Sequence, residues 1–357
     1  MELRYYFTYA AVFIFLQLFL YSFTRTLGWF FNLSITKRKA LTLISYLVVN
    51  TIFLLQLARV ISAFRSVALL LAFLLFAFLA SIFTAFCYHL MRKKKSHWLR
   101  IAYPFILFGS LGLGVYNAYV PKVIHQTIVL DKPLDKPLRI GVASDFHLGK
   151  LFGGKQLDKL AEIFNQENVD LILLPGDIMD DNVQAYIAED MRPHLAKLKA
   201  PLGVYATLGN HDFFGQQELI TKEIEAAGIK VLWDQAVEIG NQFTIIGRND
   251  HLYKKRPTTA ELLQNVNTQK PVFLMDHRPD EIEIHSTLPI DLQVSGHTHR
   301  GQIFPANIVT YLMYRLDYGY EKIGNGHFVV TSGYGFWGIP LRLGSQSEVW
   351  ILEVKGK

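Results

Sequence analysis

Residues 291–302 read DLQVSGHTHRGQ. A short apolar run gives way at Gly296 to two imidazoles, His297 and His299, one residue apart. In an extended segment residues i and i+2 share a face, so the two rings can reach neighbouring centres rather than crowd one. The chain holds 12 histidines and a single cysteine, Cys87, which removes thiolate zinc sites and any internal disulfide.

Outward from this stretch the same pattern recurs. From residue 138 short apolar runs alternate with helical stretches: LRIGVAS (138–144), a helix over Gln156–Asn168, DLILLPGD (170–177), a helix over about Val183–Lys199, then LGVYATLGNHD (202–212). FTIIGRND, PVFLMDH, HFVVTSG and SEVWILEV follow. Apolar strands alternating with helices predict an α/β domain whose sheet is buried beneath helices on both faces. Polar residues gather where the runs end: Asp145 and His147, Asp177, Asn210 and His211, Asp250, His277, and His297 with His299. Ligands of open α/β sheets collect at these carboxyl ends. A lone Asp after a strand is ordinarily a cap or turn residue. Several such sites, all of metal-ligand type, do not fit that explanation. Carboxylate, imidazole and amide oxygen without thiolate suit a divalent Mn, Fe or Zn ion. Seven candidate ligands exceed what one ion takes from protein, and a shared carboxylate would hold two ions about 3.5–4 Å apart.

The first third of the chain is of another kind. Tyr5–Phe23, Leu41–Ala58, Val67–Leu90 and Ile101–Val120 lack Lys, Arg, Asp and Glu, and each is near the ~20 residues needed to cross a bilayer. No small-residue cleavage site follows the first, so a retained helix is expected rather than a signal peptide. Gly109, Gly112 and Gly114 would permit close packing in the fourth. Residues 1–137 carry 15 Lys/Arg against 3 Asp/Glu, and the remainder 21 against 27. The basic balance therefore belongs to the apolar part, and the mildly acidic remainder argues against a nucleic-acid partner. Arg25, Lys37, Arg38, Lys39, Arg92, Lys93, Lys94, Lys95 and Arg100 lie in the first and third loops, against Arg4, Arg59, Arg65 and Lys122 on the other side. The positive-inside bias puts both termini outside the cytoplasm. The expected organisation is a membrane anchor of about four helices (1–120), a strand and Pro-rich linker (121–137), and a catalytic domain (138–357).

SDFHLG, PGDIMD, LGNHDFFG, MDHRP and SGHTHRGQ, in that order, resemble the five blocks of the calcineurin-like metallophosphoesterases. SGYGFWGIPLRLGSQSEV (332–349) is similar to a C-terminal block of the family's bacterial membrane-anchored branch. The resemblance implies helices packed on a two-sheet core and a pair of divalent ions. Asp145, His147 and His299 would hold one ion, Asn210, His277 and His297 the other, and Asp177 would bridge both. A bridging hydroxide would then attack phosphorus in line with the leaving oxygen. His211 would protonate that oxygen or stabilise the transition state, oriented by Asp180 or, alternatively, Asp212. Arg300 stands where relatives usually carry a glycine; it, Asp250 and His251 are expected at the substrate rim.

The expected function is a membrane-anchored phosphoesterase at a bacterial inner membrane, with its catalytic domain extracytoplasmic. It would cleave a phosphodiester or phosphoanhydride, with a lipid-linked substrate favoured by the anchor and a small soluble phosphodiester as the rival. A non-catalytic receptor should have lost ligand residues, yet all seven positions and His211 are present. A transporter is disfavoured because no acidic residue lies within a span.

Overall fold

A computed structural model describes residues 2–58, 60–61, 64–91 and 96–357. Arg59 and residues 92–95, counted in the charge bias, lie outside the described residues. The chain divides into two compact units, Met1–Gly114 and Val115–Lys357.

The first unit is built from α1 (Glu2–Phe30), α2 (Ile35–Leu57), α3 (Phe64–Leu90) and most of α4 (Ser96–Tyr119). Each contains a stretch long and apolar enough to span a bilayer, 21 to 26 residues. Ser34 accepts from the Lys37 backbone N–H and so starts α2 as its N-cap. Leu43, Ile44, Leu47 and Val48 on α2 are exposed, as lipid-facing residues must be. The polar side chains turn inward instead. Gln17 and Asn50 exchange amide hydrogen bonds of 2.9 and 3.1 Å between α1 and α2, and Tyr46 donates to the Gln17 carbonyl. Such bonds hold helices together where lipid is as apolar as the helix surface. A Cβ at Gly109 or Gly112 would meet nothing within 4 Å, so these glycines do not serve the close packing expected of them.

The second unit holds two six-stranded sheets. The first runs β1 (Lys122–Val129), β12 (Glu348–Lys355), β2 (Leu138–Val142), β3 (Leu171–Pro175), β4 (Val204–Thr207), β5 (Lys230–Val231). The second runs β10 (Gly319–Ile323), β11 (Gly326–Val330), β9 (Leu292–Ser295), β8 (Val272–Asp276), β7 (Phe243–Arg248), β6 (Gln235–Ile239). The 121–137 stretch thus enters the first sheet through β1, paired in parallel with β12 over eight residues. Only residues 130–137 run as a connection.

The alternation by itself suggests one sheet with helices on both faces; the structure has instead the two-sheet core that the resemblance implies. Each sheet carries helices on one face and the other sheet on the second. Along β3 the alternation is complete: Leu171 and Leu173 pack with Ile245, Phe273, Met275 and Val294 of the opposite sheet. Ile172 and Leu174 pack with Leu157, Leu160 and Phe164 of the helix Gly154–Gln166. Both faces are buried, so the strand reads as a continuous apolar run and the period of two is invisible in hydropathy. On the second sheet Ile246 and Leu274 face outward onto Leu263 and Ile290. The single helix expected over 183–199 is two short ones, Gln184–Ala188 and Arg192–Leu195. Asp190, at φ 46°, breaks the backbone between them.

Strands β2, β3 and β4 are parallel to one another, as are β7, β8 and β9. Their carboxyl ends therefore form one rim per sheet, and the two rims meet.

Candidate metal centre

Every loop that leaves this rim begins within a few residues of its strand. Asp145, His147, Asp177, His297 and His299 all have positive φ, between 46° and 71°. That region is disfavoured for residues with a Cβ and is tolerated where surrounding structure imposes it, commonly at functional sites. The turns aim these side chains back over the strand ends. Gly296 makes the approach possible, since a Cβ there would fall on Asp145 Oδ2 and Ser144 Oγ.

The structure brings the strand-end residues together in overlapping groups. Asp145, His147 and His299 offer ligand atoms within 4.8 Å of one another, as do Asp177, His277 and His297. His147, Asp177 and His211 make a third such group that overlaps the first two. Asp177 stands between, its Oδ2 3.8 Å from His147 Nε2 and 3.1 Å from His277 Nε2. Asn210 lines the same cavity, about 230 Å³, with Asp177, His211, His297, His299 and Trp337.

The donor chemistry fits cations. His277 Nδ1 lies 2.8 Å from the Pro175 carbonyl, so that nitrogen carries a proton, and Nε2 faces Asp177 at 3.1 Å. His147 Nδ1 and Asn210 Oδ1 are buried without a hydrogen-bond partner, a cost that a bound ion would remove. Burial holds His147 and His297 down to about 3, so both are neutral donors. Burial also resists ionisation of Asp177, yet His277 beside it holds it well below the carboxylate range. Burial likewise opposes protonation of His277, but Asp177 and Asp145 raise it to about 10. In the bare protein the site draws a positive charge onto a ring otherwise suited to ligation.

His211 lies at the rim of this group, its backbone N–H donated to Asp177 Oδ1 at 2.8 Å. His211 Nδ1 is hydrogen-bonded to Asp181, and Asp180, expected to orient the ring, belongs to the same group, their ligand atoms within 4.8 Å of one another. Asp181 has φ 67°, and that reversal carries its carboxylate to His211, whereas Asp180 Oδ1 lies 4.0 Å from His147 Nδ1. Asp212, the alternative, is buried and accepts from the backbone N–H groups of Ile178, Met179 and Gly209. It ties the loops after β3 and β4 together. The sequence shows two adjacent carboxylates in MDD and no local signal chooses between them.

Three residues expected at the substrate rim do not line the cavity. Arg300 places its guanidinium 4.3 Å from the centroid of the Tyr318 ring, a cation–π contact. Asp250 is buried and engages Arg278 through two hydrogen bonds. His251 is half exposed, with Nδ1 3.5 Å from Asp280. A separate group, Asp276, Glu281 and His285, also has ligand spacing. Arg248 reaches both carboxylates and Arg256 reaches Asp276 at 3.0 Å, so resident cations already fill it.

Two contributors went unforeseen. Trp337 lines the cavity, its ring 6.1 Å from that of His211. Arg342, fully buried, donates to the carbonyls of Ser332 and Gly335 and brings Nη2 to 3.1 Å from His299 Nδ1. Both belong to GFWGIPLR, inside the C-terminal block of the resemblance, where nothing local singles out these two residues.

The calcineurin-like phosphoesterase family profile matches residues 138–301. An uncharacterized metallophosphoesterase of Helicobacter pylori is 34% identical over 276 residues, covering 74% of this chain and 73% of its own. One from Aquifex aeolicus is 34% identical over 264 residues, covering 70% of this chain and 99% of its own. A Danio rerio transmembrane protein with metallophosphoesterase domain is 28% identical, covering 68% of this chain and 59% of its own. With clustered carboxylate and imidazole donors on the joined rims of two sheets, beside four helices able to span a membrane, the chain belongs to the calcineurin-like metallophosphoesterases, metal-dependent hydrolases of phosphoric esters.

Proposed function

We propose that the protein is a membrane-anchored, two-metal phosphoesterase that cleaves a phosphodiester or phosphoanhydride on the outer side of a bacterial inner membrane. One observation carries this reading: Asp177 stands between two three-residue donor groups, within 3.8 Å of His147 on one side and 3.1 Å of His277 on the other. Asp145, His147 and His299 would hold one ion, Asn210, His277 and His297 the second, with Asp177 shared. Two divalent ions supply an activated water and neutralise charge on the phosphoryl oxygens.

The protein's own groups do the rest. The Pro175 carbonyl fixes the His277 tautomer, and Asp145 accepts the His297 backbone N–H at 3.0 Å, which ties the two rims together. His211, held by Asp181, stands at the cavity edge where it can hand a proton to a leaving oxygen. The lipid-linked substrate is favoured over a soluble one by the anchor, which confines the site to the neighbourhood of a bilayer. The distribution of basic residues supports the extracytoplasmic side.

The test uses full-length protein in detergent with Mn²⁺ and bis(p-nitrophenyl) phosphate. Hydrolysis that disappears in Asp177→Asn supports the reading. An unsubstituted protein that binds metal yet cleaves no diester or anhydride overturns it in favour of a receptor. A reporter active only outside the cytoplasm, fused after Lys357, should be active.

A further inference from the structure

The helix Ala306–Met313 begins five residues after Gly301 and is built inside out. Asn307, Thr310 and Tyr314, spaced along one face, are the half-buried positions, and Thr310 Oγ1 donates to Asp317 Oδ2 at 2.7 Å. The opposite face carries Ile308, Val309, Tyr311, Leu312 and Met313, all exposed, with Leu312 at 77% and Tyr311 at 72%. A helix at a protein–water boundary normally points its apolar stripe inward. Here the polar stripe points inward, and no residue of the helix is buried.

The apolar surface continues beyond the helix. Phe304 precedes it and is exposed, and Trp337, half exposed, lines the cavity itself. Residues 304–314 (FPANIVTYLMY) contain no charged side chain. Large apolar residues with Tyr and Trp at their margin are the composition that partitions into the interfacial zone of a bilayer. The occupant is argued from the chain itself: four helices able to span a bilayer tether this unit to lipid at high local concentration.

We infer that Ala306–Met313 and its flanking aromatics dip into the bilayer surface, and that the enzyme takes its phosphoester from a lipid headgroup there. The connection to the site is short. A Cβ at Gly301 would meet the backbone of Ala306 and Asn307, so the first turn of the helix sits on the catalytic loop. At the other end the ring of Tyr314 lies 6.3 Å from that of His297. Seating the helix in lipid sets the cavity at headgroup depth, where a soluble phosphodiester has no advantage. The substrate class rests on the hydrolase reading above; the docking does not.

The test places a nitroxide label at Leu312→Cys in full-length protein. Its single native cysteine is replaced by Cys87→Ser, and the protein is reconstituted in phosphatidylcholine–phosphatidylglycerol vesicles. Val129→Cys, an exposed position at the end of β1 away from the last span, is the reference. The Leu312 label should collide mainly with oxygen and the Val129 label with a water-soluble nickel complex. A Leu312 label as open to nickel as the reference overturns the docking. So does one shielded from both reagents with spin–spin broadening, the signature of a second copy. In the second arm, Leu312→Glu/Met313→Glu should cleave fluorophore-tagged phosphatidylglycerol in vesicles at least about tenfold more slowly than unsubstituted protein. Its rate on bis(p-nitrophenyl) phosphate should stay within about twofold. Undiminished vesicle hydrolysis overturns the lipid substrate. Failure of unsubstituted protein on both substrates overturns the hydrolase reading, and the label still reports the docking.

Discussion

His147 Nε2 and His299 Nε2 face each other at 3.1 Å although 152 residues separate them in the chain. Burial holds His147 down to about 3 and His299 well below its ordinary value, so neither ring is charged. Two neutral imidazoles brought this close beside Asp145 make sense as ligands of one cation. His147→Ala or His299→Ala should therefore lower bound metal and cut diester hydrolysis by more than about 100-fold, beyond the loss typical of an outer partner. Metal analysis of the purified variants alongside initial rates checks this. Unchanged metal content would count against the assignment.

His211 and Asp181 should behave as a pair. If His211 donates the leaving-group proton, His211→Ala should cost about 10²–10⁴-fold on an alkyl phosphodiester. The loss should be much smaller on a p-nitrophenyl ester, whose leaving group departs without protonation. Asp181→Asn should follow the same pattern more weakly, and Asp180→Asn should not. Rates on the two leaving-group classes decide it.

Gly296 cannot carry a side chain without displacing Asp145, because the added Cβ falls on Asp145 Oδ2 and Ser144 Oγ. Gly296→Ala should fold with a lowered melting temperature and bind less metal. Calorimetry with and without Mn²⁺ measures both: ligand at about 100 Kd stabilises by about 2.7 kcal/mol, and the variant should lose most of that increment.

Arg342 supports the centre from behind, donating to the carbonyls of Ser332 and Gly335 while touching His299. A lysine keeps the charge but not the planar fork. Arg342→Lys should weaken metal affinity by about 10–100-fold and still yield folded protein. A competition titration against a chelator reads the affinity, and circular dichroism reads the fold.

Much of this was legible in the chain. The four apolar spans are local: length and absence of charge set them, because a bilayer tests each helix separately. The identities of Asp145, His147, Asp177, Asn210, His277, His297 and His299 were legible for a similar reason, since each follows a recognisable apolar run. Which of them meet was implied by the family resemblance and not by any local pattern, and tertiary structure decided the packing that brings them together. Leu171 and Leu173 look no different from Ile172 and Leu174 in sequence, yet one pair faces a second sheet and the other a helix. Strands buried on both faces carry no polar alternation to reveal that arrangement. The hydrogen bond between His211 and Asp181 turned on a single positive φ, and Arg300 went to Tyr318 rather than to the cavity. The same holds for the helix Ala306–Met313, whose apolar face packing turned outward. Sequence sets which residues can do chemistry; long-range backbone geometry sets which of them share a site, because contact across more than a hundred residues leaves no local trace.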